Sequence, residues 1–287
     1  MSPKIPAQLP TDSSTILERS RGVFFAQWED LLRLRRAVLK AADPDDIHDL
    51  RVASRRFRAV LELFGPMAPK TSKTGLKKNT RQITQVLGGL RNIDETLLFF
   101  ESRITSEAFS SLRHALSGLH SKEMKRIIKI LEAFDFSHYD KTVRKMIAGL
   151  NDDCLKELNK FSLLSYLSDV SIRQYLPIHN LLAVSVLPEN QSSRHALRIA
   201  IKKWRYFLEI VEQVLDRYYT PVLETLKEYQ SVLGRMNDSM EFRALLGKLE
   251  LPVEEQRTLD SILLAEDVLL LENYKALMEH KPLVYVF

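Results

Sequence analysis

The sequence predicts an all-α protein, and three observations lead there. Only nine of its 287 residues are glycine, while the strong helix formers Leu, Ala, Lys, Glu and Arg are frequent. Apolar residues recur at three- and four-residue spacings over long stretches. Those stretches are separated by Asp-Pro, Gly-Pro, Gly-Gly and Ser-rich breaks, and strand-like composition is confined to the last five residues. A hydrophobic share of 45% can support a core, and the single cysteine, Cys154, rules out an intrachain disulfide and fits a reducing compartment. No apolar run reaches the roughly 18 residues that span a bilayer. The first fourteen residues lack the apolar core of a signal peptide. The expectation is a soluble, cytoplasmic protein with no membrane partner.

Residues 1–14 hold three prolines and are expected to form a flexible lead-in. A helix from about Thr15 to Ala42 follows, carrying Arg33, Arg36 and Lys40 at i, i+3 and i+7. Asp43 suits an N-cap, Pro44 the first helical position, and Asp45 and Asp46 the first turn. The helix they launch ends near Gly65-Pro66. Thr71 to Gly88 reads as a third helix with Lys73, Lys77, Arg81 and Thr84 on one face, stopped by Gly88-Gly89. Helices from Asp94 to about Phe134 are expected to break near Ser102–Ser106 and Gly118–Ser121, with Lys122, Lys125 and Lys129 on the surface. Asp135–Tyr139 reads as a joint. Helices at Asp140–Phe161 and Ser165–Leu187 come next, the second split or kinked at Pro177. Ser192 or Ser193 caps the following helix. Thr220-Pro221 opens one that runs to Leu233. Helices near Asp238–Leu249 and Val253–His280 close the bundle, and residues 281–287 form an extended tail.

The second helix and the one after Ser193 share a pattern. His48, Arg51, Arg55 and Arg58 sit at i, i+3, i+7 and i+10, within an arc of about 80°. Leu50, Ala53, Phe57, Val60, Leu61 and Phe64 lie opposite. His195, Arg198, Lys202 and Arg205 repeat the stripe, with Leu197, Trp204 and Leu208 opposite. Most charged stripes are solvated helix faces. A solubilising face usually mixes signs, however. Each of these has one acid, Glu62 or Glu209, four residues after Arg58 or Arg205 and placed to pair with it. Cations about 6 Å apart repel by roughly 1–3 kcal/mol per pair at a dielectric of 20–80. Accepting that cost twice implies an anion to offset it. Net charge is only +5 at a pI near 9.1, so clustering matters more than the total.

The H-x-x-R-x-x-x-R-x-x-R spacing, twice in one chain, resembles the CHAD family, the conserved histidine α-helical domain. Leu87-Gly88-Gly89-Leu90-Arg91-Asn92-Ile93-Asp94 and Leu233-Gly234-Arg235-Met236-Asn237-Asp238 are similar to the family's L-G-x-x-R-D turn. The first has Arg91-Asn92 where Arg-Asp is usual, and the second lacks the Arg. Counting back from each Leu-Gly pair, Lys227 stands at the place of Arg81 and Gln230 at that of Thr84, so the second copy is less cationic. The resemblance covers roughly residues 15–280. It implies two similar helical bundles, 15–138 and 139–280, related by a pseudo-two-fold with a basic groove or channel between them. It also implies binding of inorganic polyphosphate, association with polyphosphate granules, and no cofactor.

Polyphosphate is a repeated acceptor, and a row of guanidinium groups is a repeated pair of donors. The expected site is therefore His48, Arg51, Arg55, Arg58, His195, Arg198, Lys202 and Arg205, each histidine donating one N–H to phosphate or to a neighbour. Spacing alone adds Arg33, Arg36, Lys40, Lys73, Lys77, Arg81 and Lys227. Phosphate or sulfate can occupy the same place.

Two rival readings are weaker. His48-Asp49 is the dipeptide of some helical metal phosphohydrolases, but the repeat reads His195-Ala196, and the arginines oppose a divalent cation. A triphosphatase of the kind fused to such domains needs a Glu-x-Glu-x-Lys strand that is absent. A nucleic-acid binder would use the same phosphate contacts, yet the stripes carry no exposed aromatic platform, since Phe57 and Trp204 point to the core side. The sequence thus reads as a non-enzymatic polyphosphate binder.

Overall fold

The computed structural model describes residues 13–67, 73–104, 109–151, 153 and 162–287. Among them are nine α-helices and no strand: α1 (Ser13–Ala41), α2 (Pro44–Phe64), α3 (Lys73–Glu101), α4 (Ser110–Glu132), α5 (Phe136–Ala148), α6 (Leu163–Ser185), α7 (Gln191–Leu215), α8 (Thr220–Leu246) and α9 (Val253–His280). The all-helical expectation holds. The lead-in before residue 13, the break at 105–108, Cys154, the end of the Asp140–Phe161 helix and the Lys73 side chain lie outside the described residues.

The start of α2 follows its local chemistry. Asp43 is extended and accepts from the Asp45 backbone N–H at 2.9 Å, with Pro44 in the first turn. Its end is a 3-10 turn at Gly65–Met67. The start of α7 differs from the expected serine cap. The helix begins at Gln191 after Asn190, with no side-chain cap. Arg194 instead reaches back to the carbonyls of Ser185 (3.1 Å), Leu187 (2.6 Å) and Pro188 (2.9 Å), tying down the connecting loop.

Three expected breaks are absent. α3 passes through Gly88-Gly89, α4 through Gly118–Ser121, and α8 joins the segments expected to part after Leu233. Glycine costs about 1 kcal/mol relative to alanine inside a helix, and tertiary packing offsets it. Leu87, Leu90 and Ile93 are buried around the first pair, where α3 packs on α4. Gly89 also leaves room for the Glu123 side chain, since a Cβ there would stand 2.9 Å from Glu123 Oε1 and the carboxylate would have to shift. α6 likewise continues past Pro177, forgoing one backbone hydrogen bond.

One core runs through both sequence halves. Trp28, Phe24, Phe57 and Phe64 from α1 and α2 belong to the same buried cluster as Trp204, Leu208 and Tyr229 from α7 and α8. A smaller cluster joins the ends of α3 and α4 to α8 and α9 through Ile93, Phe100, Leu112, Phe242, Leu246 and Leu263. Three packings set up the site: α2 lies against α7, α3 against α8, and α1 against both α2 and α7. The last residues run extended over this frame. Tyr229 donates to the Lys281 carbonyl at 2.9 Å and Tyr175 to that of Leu283 at 3.1 Å, while Phe287 stacks on Phe207.

Candidate anion-binding site

Amphipathicity alone accounts for the core side of both stripe helices. Leu50, Ala53, Phe57, Val60, Leu61 and Phe64 on α2 are buried, as are Leu197, Trp204 and Leu208 on α7. That burial turns the opposite faces away from the core, and the α2–α7 contact turns them toward each other. The cationic side chains accordingly sit in neither bulk water nor hydrocarbon. Arg55, Arg58, His195, Arg198, Lys202 and Arg205 are half-buried, and Arg51 is 6% exposed.

Arg55 and Arg58 of α2 and Arg198 and Lys202 of α7 line one cleft of about 260 Å³, with Thr84 from α3, Gln174 from α6, and Tyr206. Their charges act on one another. Desolvation, and then Arg198, Arg55, Arg51 and Arg91, hold the Lys202 amine down to about 6. Desolvation, and then Arg55 and Arg91, hold Arg51 to about 9, with Tyr206 and Glu95 opposing weakly. Arg198 is lowered by desolvation too, against the attraction of Asp238. Four guanidinium groups and one amine from three helices therefore share one field, and the acids nearby are few. Arg58 has Glu62 at 3.8 Å, Arg205 has Glu209 at 2.6 Å, Arg91 has Glu95 at 3.1 Å, and Arg198 has only Asp238 at 4.0 Å.

Polar groups, two donors and one acceptor, are also left over. The Nε groups of Arg51 and Arg198 and the Gln174 Oε1 are buried with no hydrogen-bond partner among the described residues. A buried N–H without an acceptor costs about 1–3 kcal/mol. Gly234 on α8 faces Arg198, and a Cβ there would make only an ordinary contact, 4.0 Å from Arg198 Nε. Beside it, Asn237 Oδ1 is 2.6 Å from His195 Nδ1. With that oxygen accepting, Nδ1 carries the hydrogen and Nε2 is left for another partner.

The remaining sequence candidates scatter. His48 is exposed in the second turn of α2. Arg33, Arg36 and Lys40 lie exposed on α1. Arg33 pairs with Asp30 at 2.5 Å, and Arg36 lines a different cleft against α5. Lys77 and Arg81 are exposed on α3. The Lys77 amine stands 3.5 Å from where a Gly65 Cβ would be, beside the C-terminus of α2, where a cation is favourable. Lys227 lines a separate cleft with Arg56, Glu209 and Glu212. Arg91 was missing from the expected site. It is ten residues after Arg81 and seven after Thr84, so the stripe spacing continues to it. The helix break expected at Gly88-Gly89 concealed this. Thr84, Gln174, Tyr206 and Asn237 carry no charge signal, and only the fold brings them in.

The CHAD domain profile matches residues 22–247, most of the chain and all of this site. The chain belongs to the CHAD family. Its fold is similar to the crystal structure of the CHAD domain from the plant Ricinus communis, at 21% identity and a TM-score of 0.73, covering 98% of each chain. It is also similar to PptA from Streptomyces chartreusis, at 15% identity and a TM-score of 0.67, covering 92% of this chain and 97% of that one. No curated protein matches it by sequence. Among the described residues of this CHAD chain, no helix is long and apolar enough to cross a membrane.

The cation cluster sets up a stability test. Unfolded, Lys202 holds its proton up to its ordinary value of 10.5, and folded it releases it near 6. Between the two the folded chain binds fewer protons, so this group's contribution to stability rises with pH and is a net cost at neutrality. Lys202→Met is expected to stabilise the free CHAD protein by about 1–2 kcal/mol at neutral pH, seen as a raised urea midpoint. A lowered midpoint would show that the amine is stabilising where it stands.

Proposed function

We propose that the protein binds inorganic polyphosphate, without breaking or forming phosphoanhydride bonds, in the cleft between α2 and α7. The observation that carries this is the shared field of Arg51, Arg55, Arg91, Arg198 and Lys202, with two buried guanidinium N–H groups that no oxygen of the described residues accepts. A polyanion meets both needs at once. It offsets the repulsion, and its oxygens accept from Arg51 and Arg198. A single phosphate would satisfy part of the row. A chain of phosphates can bridge α2 to α7, and its lack of sequence matches a site built from charge alone. Family membership supports the same ligand class, and association with polyphosphate granules in the cytoplasm follows from that ligand.

The second reading is a nucleic acid, held by its phosphates. The cleft offers few ring platforms: Phe57, Trp204 and Phe207 are buried, leaving Tyr206 at the cleft wall. A competition assay separates the readings. Long-chain polyphosphate should bind with an affinity that falls steeply with salt, as counterions are released. Single-stranded RNA at equal phosphate concentration should fail to displace it. Displacement by RNA would overturn the polyphosphate assignment.

A further inference from the structure

A second cleft, of about 390 Å³, lies between α1 and α5 and away from the α2/α7 site. Phe25, Glu29, Leu32 and Arg36 share about a 60° arc of α1, and Phe136, Asp140 and Arg144 run down the facing side of α5. Arg35, Ser137 and Lys141 complete the lining. Charge and aromatic surface are unevenly placed here. Arg144 takes up both acids, bonding to Asp140 at 2.7 Å and standing 3.8 Å from Glu29. Trp28 Nε1 also donates to Asp140 at 2.9 Å, and the bonds from Arg144 and Trp28 keep that carboxyl below its ordinary range, hence ionised. Arg35, Arg36 and Lys141 also line the cleft, and none of them has a carboxylate within ion-pairing distance among the described residues. Arg35 is half-buried, its Nε donating to the Leu131 carbonyl at 2.7 Å while its guanidinium lies 5.6 Å from the centre of the Phe136 ring. Phe136 itself is 48% exposed on the cleft wall.

We propose that this α1/α5 cleft is a separate site for a nucleoside phosphate, its base against Phe136 and its phosphates on Arg35, Arg36 and Lys141. Its volume lies in the range of about 300–1,000 Å³ typical of small-molecule sites. A flat apolar ring beside three cations with no carboxylate partner among the described residues is the pairing a nucleotide needs, because stacking and phosphate contacts are then made together. Inorganic phosphate chains gain nothing from Phe136, so the ring distinguishes this site from the α2/α7 cleft. The same chemistry is presented by a free nucleotide and by a nucleotide within a single strand.

The test is calorimetric titration of the full chain with ATP, with inorganic triphosphate and with a short single-stranded RNA. The Arg55→Ala/Lys202→Met background removes competition from the other cleft. ATP should bind saturably and about tenfold more tightly than triphosphate. Phe136→Ala should erase that preference, and Lys141→Glu should weaken both ligands, with helix content by circular dichroism unchanged. RNA binding that also depends on Phe136 identifies a strand as the source, and ATP binding alone identifies a free nucleotide. Either result supports the site. It is overturned if ATP and triphosphate bind alike, if ATP fails to saturate by about 1 mM, or if ATP binds the unsubstituted chain but is lost with the Arg55/Lys202 pair. None of these outcomes bears on polyphosphate binding, which is measured separately in the Phe136→Ala variant and should be retained there.

Discussion

Arg55→Ala combined with Lys202→Met should weaken long-chain polyphosphate binding by about 3 kcal/mol, on the order of a hundredfold. Arg55 projects from α2 and Lys202 from α7, and both line the same cleft. Arg55 acts on the charges of the facing helix: it lowers both Lys202 and Arg198. If a single polyanion bridges the helices, each substitution removes a charged contact of about 1.5–3 kcal/mol. Both residues are half-buried, and neither belongs to the hydrophobic core. The double variant should therefore fold, and relief of repulsion should raise its unfolding midpoint while affinity falls. Opposite movement of stability and affinity is the signature of a cluster kept for a ligand. A variant that binds as tightly as the native protein would remove both residues from the site.

Affinity should also climb as pH falls, by up to tenfold per unit between about pH 9 and 7, levelling off near 6. The sign follows from Lys202. In the free protein desolvation, then Arg198, Arg55, Arg51 and Arg91, hold its amine to about 6, so it is neutral at physiological pH. A phosphate chain alongside raises that value, because an opposite charge favours the protonated form. Between the free and bound values, binding takes up one proton, and lower pH favours the complex. Arg51, held to about 9, adds a second loss of affinity above that pH. The nearby acids, Glu62, Glu95 and Asp238, are each paired with an arginine. The check is calorimetry in buffers of different ionisation enthalpy, which reads the proton taken up directly. Lys202→Met should abolish the uptake near neutrality, and uptake that persists in that variant would contradict the assignment.

Charge spacing made much of this visible before the fold was known. The i, i+3, i+7, i+10 rows were legible because the apolar residues opposite them fix which way each helix must turn. Leu50, Phe57, Trp204 and Leu208 bury, and Arg51, Arg55, Arg198 and Lys202 are left facing the seam. What spacing could not show is which rows meet. Arg33, Arg36 and Lys40 have the same rhythm as Arg51 and Arg55, but α1 presents them on its outer side, and Arg36 turns to α5 instead. Arg91 was hidden for another reason. Gly88-Gly89 carries a strong local stop signal, and only the packing of α3 on α4, with Glu123 against Gly89, overrides it. Local glycine chemistry is worth about a kilocalorie, and buried leucines on either side are worth more. The mistake therefore lay in weighing a propensity against contacts that the sequence does not display.

The most direct test is a crystal structure with inorganic triphosphate. Phosphate oxygens should lie within hydrogen-bonding distance of Arg55 on α2 and of Arg198 and Lys202 on α7 in the same molecule, with the buried Nε of Arg51 or Arg198 finding its acceptor. Triphosphate bound only on the outer face of α1, or touching one of the two helices and never both, would contradict the account.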